Sequence, residues 1–378
     1  MSAVSEAVPK IIEKVFSTVP DPFKNLNITI KPLENSRSFW SECYQILVSS
    51  ESEEYKDKVV SPLFVKIPRI SAINAALDAE NAEENTAILR TLTAQEVTFY
   101  KDFYKFRFPS FPIPRFFYGE SLENEPMAGL VCEDFSGIGA SIDFVPGFSD
   151  GQVTQLMEAL AGFHSEIIER TAEVPWQNYG NALYDPDYIR MLYTDTLQFE
   201  DLCPKELSGR IQAVKHVFDE QGVQNSNDLN SQLGLPFVLC HNDLNASNVL
   251  WNKSTGKIQA VIDFQHVSKG PVTFDIIRIL CLGLSVEDRK KDTDKYLRHY
   301  YGSLKSHLSP VPFTLDQLFQ SYSAHFNFVN ATSLFSLSYY YKMYKETSLD
   351  IKDPLEVREE KAAEILRRTI GILDDIEK

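Results

Sequence analysis

The chain has 378 residues, 43% of them hydrophobic and 12% aromatic, and a formal net charge of −16. That length exceeds what one hydrophobic core ordinarily serves, so two lobes are expected, and the apolar content excludes a disordered chain. The acidic balance argues against a nucleic-acid backbone or an anionic membrane as partner, since both require a basic face; it serves solubility first and a cationic substrate second.

In chain order, residues 8–16 have helical apolar spacing and end before Pro20 and Pro22. Residues 26–33 alternate as a strand, and 39–48 and 61–67 supply two more, with the charged segment SSESEEYKDK between them. Three consecutive strands predict an antiparallel meander. Lys66 closes the third, flanked by Val65 and Ile67; taken alone it reads as an ordinary exposed lysine of an alternating strand. Residues 70–92, rich in Ala, Asn and Glu, read as a partly helical surface insertion. Thr93-Ala94-Gln95-Glu96 fits a capping box opening a helix, with Glu96 reaching back to Thr93, and Val97, Tyr100, Phe103 and Tyr104 as the apolar face. Pro109, Pro112 and Pro114 end that helix; strands follow at 115–118 and 127–135, separated by the turn SLENEP. This makes a five-stranded sheet with one helix inserted before the fourth strand.

Gly137 and Gly139 mark a lobe boundary. Beyond it, Ser149 and Gln152 form a second capping box, and Val153, Leu156, Leu160, Phe163 and Ile167 a buried stripe. His164, beside that stripe, reads as a core histidine, because no second ligand lies one turn away. Helices are expected over 186–202 and 204–221, with Asn/Gln/Asp-rich loops between. Short apolar runs at 237–240, 249–251 and 258–264 read as buried strands, the last two joined by the turn Ser254-Thr255-Gly256-Lys257. Residues 276–284 form a core helix. The aromatic-rich helical segment 315–344 is either core packing or the wall of a substrate pocket. The last helix starts at Asp353-Pro354 and buries Ala362, Ile365, Leu366, Thr369, Ile370 and Leu373.

Cys43, Cys132, Cys203, Cys240 and Cys281 form no C-x-x-C pair and lack framework spacing, which indicates a reducing compartment. The N-terminus lacks a signal-peptide pattern, and no apolar run approaches the ~20 residues needed to cross a bilayer. A cytoplasmic protein without a membrane span is expected; no protein partner is readable.

The chemistry concentrates at HNDLNASN, residues 241–248, and VIDFQ, residues 261–265. Asp243 and Asn248 share one loop, and Asp263 ends an apolar strand. A carboxylate with an amide oxygen suits Mg²⁺ when phosphate and water complete the shell, while a second carboxylate can accept the proton of an attacking hydroxyl. Phosphoryl transfer needs those parts and little more. No G-x-S-x-G or H-E-x-x-H motif supports a hydrolase or protease.

HNDLNASN matches the kinase catalytic-loop form H-x-D-L-x-x-x-N, and IDF the metal-binding D-F-G position. Lys66 and Glu96 then stand in order as the third-strand lysine and the glutamate of the inserted helix. The chain resembles the choline kinase and aminoglycoside phosphotransferase group of the protein-kinase-like superfamily. More closely, it is similar to the CHK kinase-like (ecdysteroid-kinase-like) proteins of insects and nematodes, with echoes in AQEVTFY, GLVCEDFSG, ALAGFHS and IDFQ spread over most of the chain.

The resemblance implies an α+β, protein-kinase-like bilobal fold. Residues 1–136 would be the lobe with the small antiparallel sheet and inserted helix, and residues 137–378 the mostly helical lobe with the catalytic loop and substrate pocket. It implies ATP and Mg²⁺ as cofactors, with Asp243 as catalytic base, His241 bracing its loop and Asp275 holding that loop from behind. Asn248 and Asp263 would bind Mg²⁺. Lys66, held by Glu96, would contact the nucleotide phosphates, and the backbone around Val131, Cys132, Glu133 and Asp134 would meet adenine. The implied activity is phosphorylation of a hydroxyl on a choline-, steroid- or xenobiotic-like small molecule. The short segment after IDF, with no A-P-E, favours a metabolite over a protein acceptor. The chain departs from the pattern in three places. LENSRSFWSEC, residues 33–43, has no glycine where kinases use a Gly-rich loop, leaving Ser36 and Ser38 hydroxyls as substitutes. Asn245 stands where relatives often have Trp, and Gln265 where many have Glu. A second expectation is therefore a catalytically weak or inactive relative that binds nucleotide or metabolite.

Overall fold

The computed structural model describes residues 5–33, 40–71, 82–180, 186–345 and 353–376, the side chains of 125 and 126 excepted. Helix α1 (Ala7–Val15) buries Val8, Ile11 and Ile12 at helical spacing. Strands β1 (Asn27–Pro32), β2 (Ser41–Ser49) and β3 (Leu63–Pro68) follow, then helix α2 (Ala82–Phe103), β4 (Phe116–Glu120), β5 (Gly129–Glu133) and the two-residue β6 (Gly139–Ala140). Helices α3 (Asp150–Glu169), α4 (Pro186–Leu202) and α5 (Gly222–Gln232) precede β7 (Phe237–Cys240), β8 (Val249–Asn252), β9 (Ile258–Val261) and β10 (Ser268–Pro271). Helices α6 (Phe274–Gly283), α7 (Val286–His307), α8 (Leu315–Lys345) and α9 (Leu355–Ile376) complete the chain.

Two compact units result, each built from more than one stretch of chain. The first comprises Met1–Arg107, Pro112–Ala140 and Leu250–His266. Its main sheet runs β1-β2-β3-β5-β4, antiparallel throughout. Leu63, Val65 and Ile67 of β3 are buried, and with Tyr44, Ile46, Val48 and Val131 they pack on the apolar stripe of α1. Gly129 permits that approach: a Cβ there would lie 2.8 Å from Ile67 Cδ1 and 3.0 Å from Ile11 Cδ1. A smaller sheet, β6-β8-β9, carries the later segment.

Thr93 does not open a helix. The chain is already helical at Ala82, and Thr93 Oγ1 donates to Leu89 O at 2.7 Å, the back-bond of a mid-helix threonine. The buried positions Leu89, Leu92, Val97 and Phe99 carry the helix through the local capping pattern. Tyr104, expected on the apolar face, lies past the helix end and is 56% exposed.

The second unit comprises Phe108–Phe111, Ser141–Val249 and Val267–Lys378. Among the described residues its regular structure is helical apart from the antiparallel pair β7 and β10. Helix α3 has the expected capping box: Gln152 N donates to Ser149 Oγ, and Ser149 N to Gln152 Oε1. His164 is fully buried, with Nδ1 2.8 Å from Tyr300 OH, and burial pushes its pKa down to about 3. The single helix expected over 204–221 is instead broken by Gly209, at φ +74°, into Pro204–Leu207, Arg210–Ala213 and a 3₁₀ turn at Lys215–Val217. Polar α5 is helical where a loop was expected.

The aromatic residues of α8 pack largely as core. Tyr340 stacks on Phe144 with ring centroids 3.8 Å apart, and Tyr341 packs against Phe199. On α9, Ala362, Ile365, Thr369 and Leu373 are buried as expected, whereas Leu366 and Ile370 are half-buried. The adjacent Arg368 is buried and donates to the carbonyls of Phe144, Pro146 and Leu282. The α+β class with an antiparallel five-stranded sheet and a helical C-terminal region is as the sequence indicated.

Candidate active site

In the first unit, β3 alternation turns Lys66 away from the buried side chains of Val65 and Ile67. Its Nζ donates to Glu96 Oε2 at 2.8 Å and to Asp263 Oδ1 at 2.7 Å. Helix α2 supplies Glu96, and one turn later Phe99. That ring stacks on Phe264, centroids 3.9 Å apart and planes 11° from parallel, while Tyr100 meets Phe264 edge-on at 5.8 Å. The same helix face therefore carries the glutamate and anchors the residue next to Asp263. Asp263 itself lies at φ +69°, a left-handed conformation that aspartate tolerates but rarely adopts. Strand β9 accordingly ends at Val261, short of the expected Phe264, and a 3₁₀ turn, Phe264–His266, follows.

Burial opposes the charge on Lys66, but Asp263 and Glu96 more than offset it and hold its pKa above the ordinary value. Glu96 shows the competing side of that sharing. Burial raises its carboxyl, Lys66 lowers it, and the like charge of Asp263 raises it again, for a net upward shift.

In the second unit, the loop 241–248 is tied down from below. Asp275, buried in the first turn of α6, accepts His241 N–H at 2.7 Å and Asn242 N–H at 2.8 Å. Burial raises its pKa against those bonds. Asn242 sits at φ +61°, and its side-chain amide donates to Ser268 Oγ at 2.8 Å. Buried His241 accepts the Asp243 N–H on Nδ1 at 3.2 Å. Donors then meet both oxygens of the Asp243 carboxylate. Arg278 Nη2 at 2.7 Å and Asn245 Nδ2 at 3.0 Å bond Oδ1, and Asn248 Nδ2 at 2.9 Å bonds Oδ2. Asn248 Nδ2 also reaches the Asp243 carbonyl at 2.8 Å, which turns its amide oxygen away from Asp243. Asn245, one of the departures from the family pattern, is thus a hydrogen-bond donor to Asp243.

Arg278 was not anticipated. The signal was present: it is the one charged residue between Ile276 and Leu284 in a helix buried at every position. A cation in such a run requires a polar partner, but the apolar pattern led to a reading of core helix alone.

Val131 and Cys132 are buried in β5, paired with Val65 and Phe64 of β3; burial pushes the Cys132 thiol up. The Glu133 N–H donates to Arg115 O at 2.8 Å and the Asp134 N–H to Pro62 O at 3.3 Å. The Asp134 carboxylate accepts Gln45 Nε2 and the Ser136 hydroxyl, both at 2.7 Å. Asp134 is therefore a tie between β2 and the end of β5. Ser36 and Ser38 lie outside the described residues. Among the described residues, no group of three or more His, Cys, Asp or Glu side chains could hold a metal ion.

The chain is 71% identical over 376 residues to an uncharacterized kinase-like protein of Caenorhabditis elegans, with all of both chains covered. It is 22% identical over 296 residues to the uncharacterized oxidoreductase dhs-27 of the same nematode, a match spanning 72% of this chain and 35% of that longer one. Among solved structures it is similar to an ethanolamine kinase of Plasmodium vivax, at 12% identity, 96% and 90% coverage and a TM-score of 0.45. The DUF1679 family model, described as uncharacterized oxidoreductase dhs-27, matches residues 58–378. With that match and a kinase-like relative at 71% identity, the chain belongs to the DUF1679 family, among the CHK kinase-like proteins.

Proposed function

We propose that the protein is an ATP- and Mg²⁺-dependent phosphotransferase that phosphorylates a hydroxyl group of a small molecule. The observation that carries this reading is Lys66 bonded at once to Glu96 and Asp263, residues 30 and 197 positions away in the chain. The loop with Asp243 held by Asn248 supports it from the second unit. Lys66 would contact the nucleotide phosphates and Glu96 would hold it in place. Asp243 would align the acceptor hydroxyl and take its proton as that oxygen bonds to the γ-phosphorus and ADP departs. His241 and Asp275 would keep the loop in shape, and adenine would meet the backbone around 131–134 at the end of β5, through groups other than the Glu133 and Asp134 N–H, which Arg115 O and Pro62 O already take.

Asn248 and Asp263 suit Mg²⁺ as an amide oxygen and a carboxylate, both hard donors. The Lys66, Glu96 and Asp263 group also carries one formal negative charge in excess. When bound, the ion would offset charge on the phosphates. Five buried cysteines, none in a disulfide, support a reducing, cytoplasmic setting. No described helix is long and apolar enough to cross a membrane.

The word oxidoreductase attaches to a relative of which this chain matches 35%. The glycine pair here, Gly137-Ile138-Gly139-Ala140-Ser141-Ile142, does not complete the G-x-G-x-x-G of a dinucleotide site. The second reading, a weak or inactive nucleotide-binding relative, rests on the glycine-free stretch LENSRSFWSEC. Thermal melting with and without millimolar Mg-ATP tests the nucleotide; the absence of a shift defeats the kinase reading. ADP release across a panel of choline, ethanolamine, steroids and glycosides separates turnover from binding, and Asp243→Ala should abolish it.

A further inference from the structure

Arg278 is 4% exposed in a helix whose other nine residues carry apolar side chains, except Asp275. Its Nη2 donates to Asp243 Oδ1 at 2.7 Å and to Ser336 Oγ at 2.8 Å, and its Nη1 donates to Thr332 Oγ1 at 2.9 Å. Both hydroxyls pass their own hydrogens to α8 carbonyls, Thr332 to Val329 O and Ser336 to Thr332 O, so each oxygen is free to accept from the guanidinium. Stability does not account for the arrangement. A buried ion pair contributes little net, since apolar side chains replacing both partners together would pack as well or better. What the guanidinium supplies is direction. A carboxylate rotates about a soft terminal torsion, and an aspartate that must align a hydroxyl loses rate steeply with small misplacement.

We propose that Arg278 is a positioning residue for phosphoryl transfer: braced by Thr332 and Ser336, it clamps Oδ1 of Asp243 and so presents Oδ2 to the acceptor hydroxyl. Asn245 shares Oδ1, and Asn248 bonds Oδ2 at 2.9 Å, so both amides hold the carboxylate in the orientation the guanidinium sets. The inference rests on the function proposed above. Two charged hydrogen-bonding hands on a planar fork explain why arginine stands here rather than lysine.

The test compares Arg278→Met, Arg278→Lys and the double variant Thr332→Val/Ser336→Ala with the wild type. ADP release with an acceptor from the hydroxyl panel supplies kcat and the KM for ATP. Arg278→Met should lower kcat by about 10²-fold with KM for ATP within about twofold, and Arg278→Lys should fall between. The double variant, which leaves no charge unpaired, should lower kcat by roughly fivefold. In a further variant, Arg278→Ala, millimolar methylguanidinium should restore part of the rate, and it should restore none in Asp243→Ala. An unchanged or raised kcat in a folded Arg278→Met overturns the proposal and leaves the kinase reading standing. If Arg278→Met fails to fold, an unchanged kcat in the double variant overturns it. A wild type with no Mg-ATP melting shift and no ADP release defeats the kinase reading, and this inference with it.

Discussion

Each unit buries a cation against carboxylate, and the two do so with opposite balance. In the first, one ammonium, Lys66, is shared by Glu96 and Asp263. In the second, one carboxylate, Asp243, is held by a guanidinium and two amides. The first group has a formal negative charge to spare and is suited to receive more positive charge. The second is neutral and directed, suited to keep one carboxylate still. The same type of contact stores charge in one place and orientation in another, depending on how many partners compete for the cation.

Removing the oriented carboxylate should have the largest effect. Asp243→Ala is expected to reduce ADP formation by about 10²–10⁴-fold while leaving the Mg-ATP melting shift in place; loss of that shift as well would mean the second unit governs nucleotide binding too. Phe264→Ala tests how the first group is built. Phe264 is 1% exposed and stacked on Phe99, so its removal should cost about 3–5 kcal/mol in urea unfolding. Lys66→Met leaves Glu96 and Asp263 facing each other without their cation and should cost about 3 kcal/mol, with the Mg-ATP shift gone. A cost near zero would show that the charge sharing is incidental.

Acidity should separate two buried groups with opposite slopes. Burial lowers the His164 pKa to about 3, so its contribution is complete above the ordinary 6.5 and is lost as pH falls toward 3, by up to roughly 1.4 kcal/mol per pH unit. Glu96 is raised above 4.5, so its contribution is complete below that value and falls as pH rises through the folded pKa. Asp275 runs in the same direction as Glu96. His164→Gln should flatten the acid limb of the stability profile and Glu96→Gln the rise-dependent loss; parallel profiles for wild type and variant would remove the group concerned from the account. The smallest effect should be Ser149→Ala, about 1 kcal/mol from the lost α3 cap.

Local patterns in the chain were legible where packing agreed with them. The α3 cap, the β3 alternation and the core stripe of α9 near Ala362 and Ile365 need only nearest neighbours to form. They failed where a longer pattern overrode them. Thr93 and Glu96 have capping-box spacing, but buried Leu89 and Leu92 continue the helix through them. Gly209 sits within a run that otherwise has helical character, and its left-handed backbone ends it. Arg278 was passed over because an apolar period says where a residue lies and not what it meets.

Residue order alone names the chemistry on offer. HNDLNASN, IDF, one lysine on a third strand and one glutamate on an inserted helix name the groups, because residue type and order survive in one dimension. Tertiary structure decided their partners. Lys66 meets Asp263 across 197 positions, and Asp243 meets Arg278 across 35. Only packing that buries these groups makes a charged partner compulsory, since water no longer competes for it.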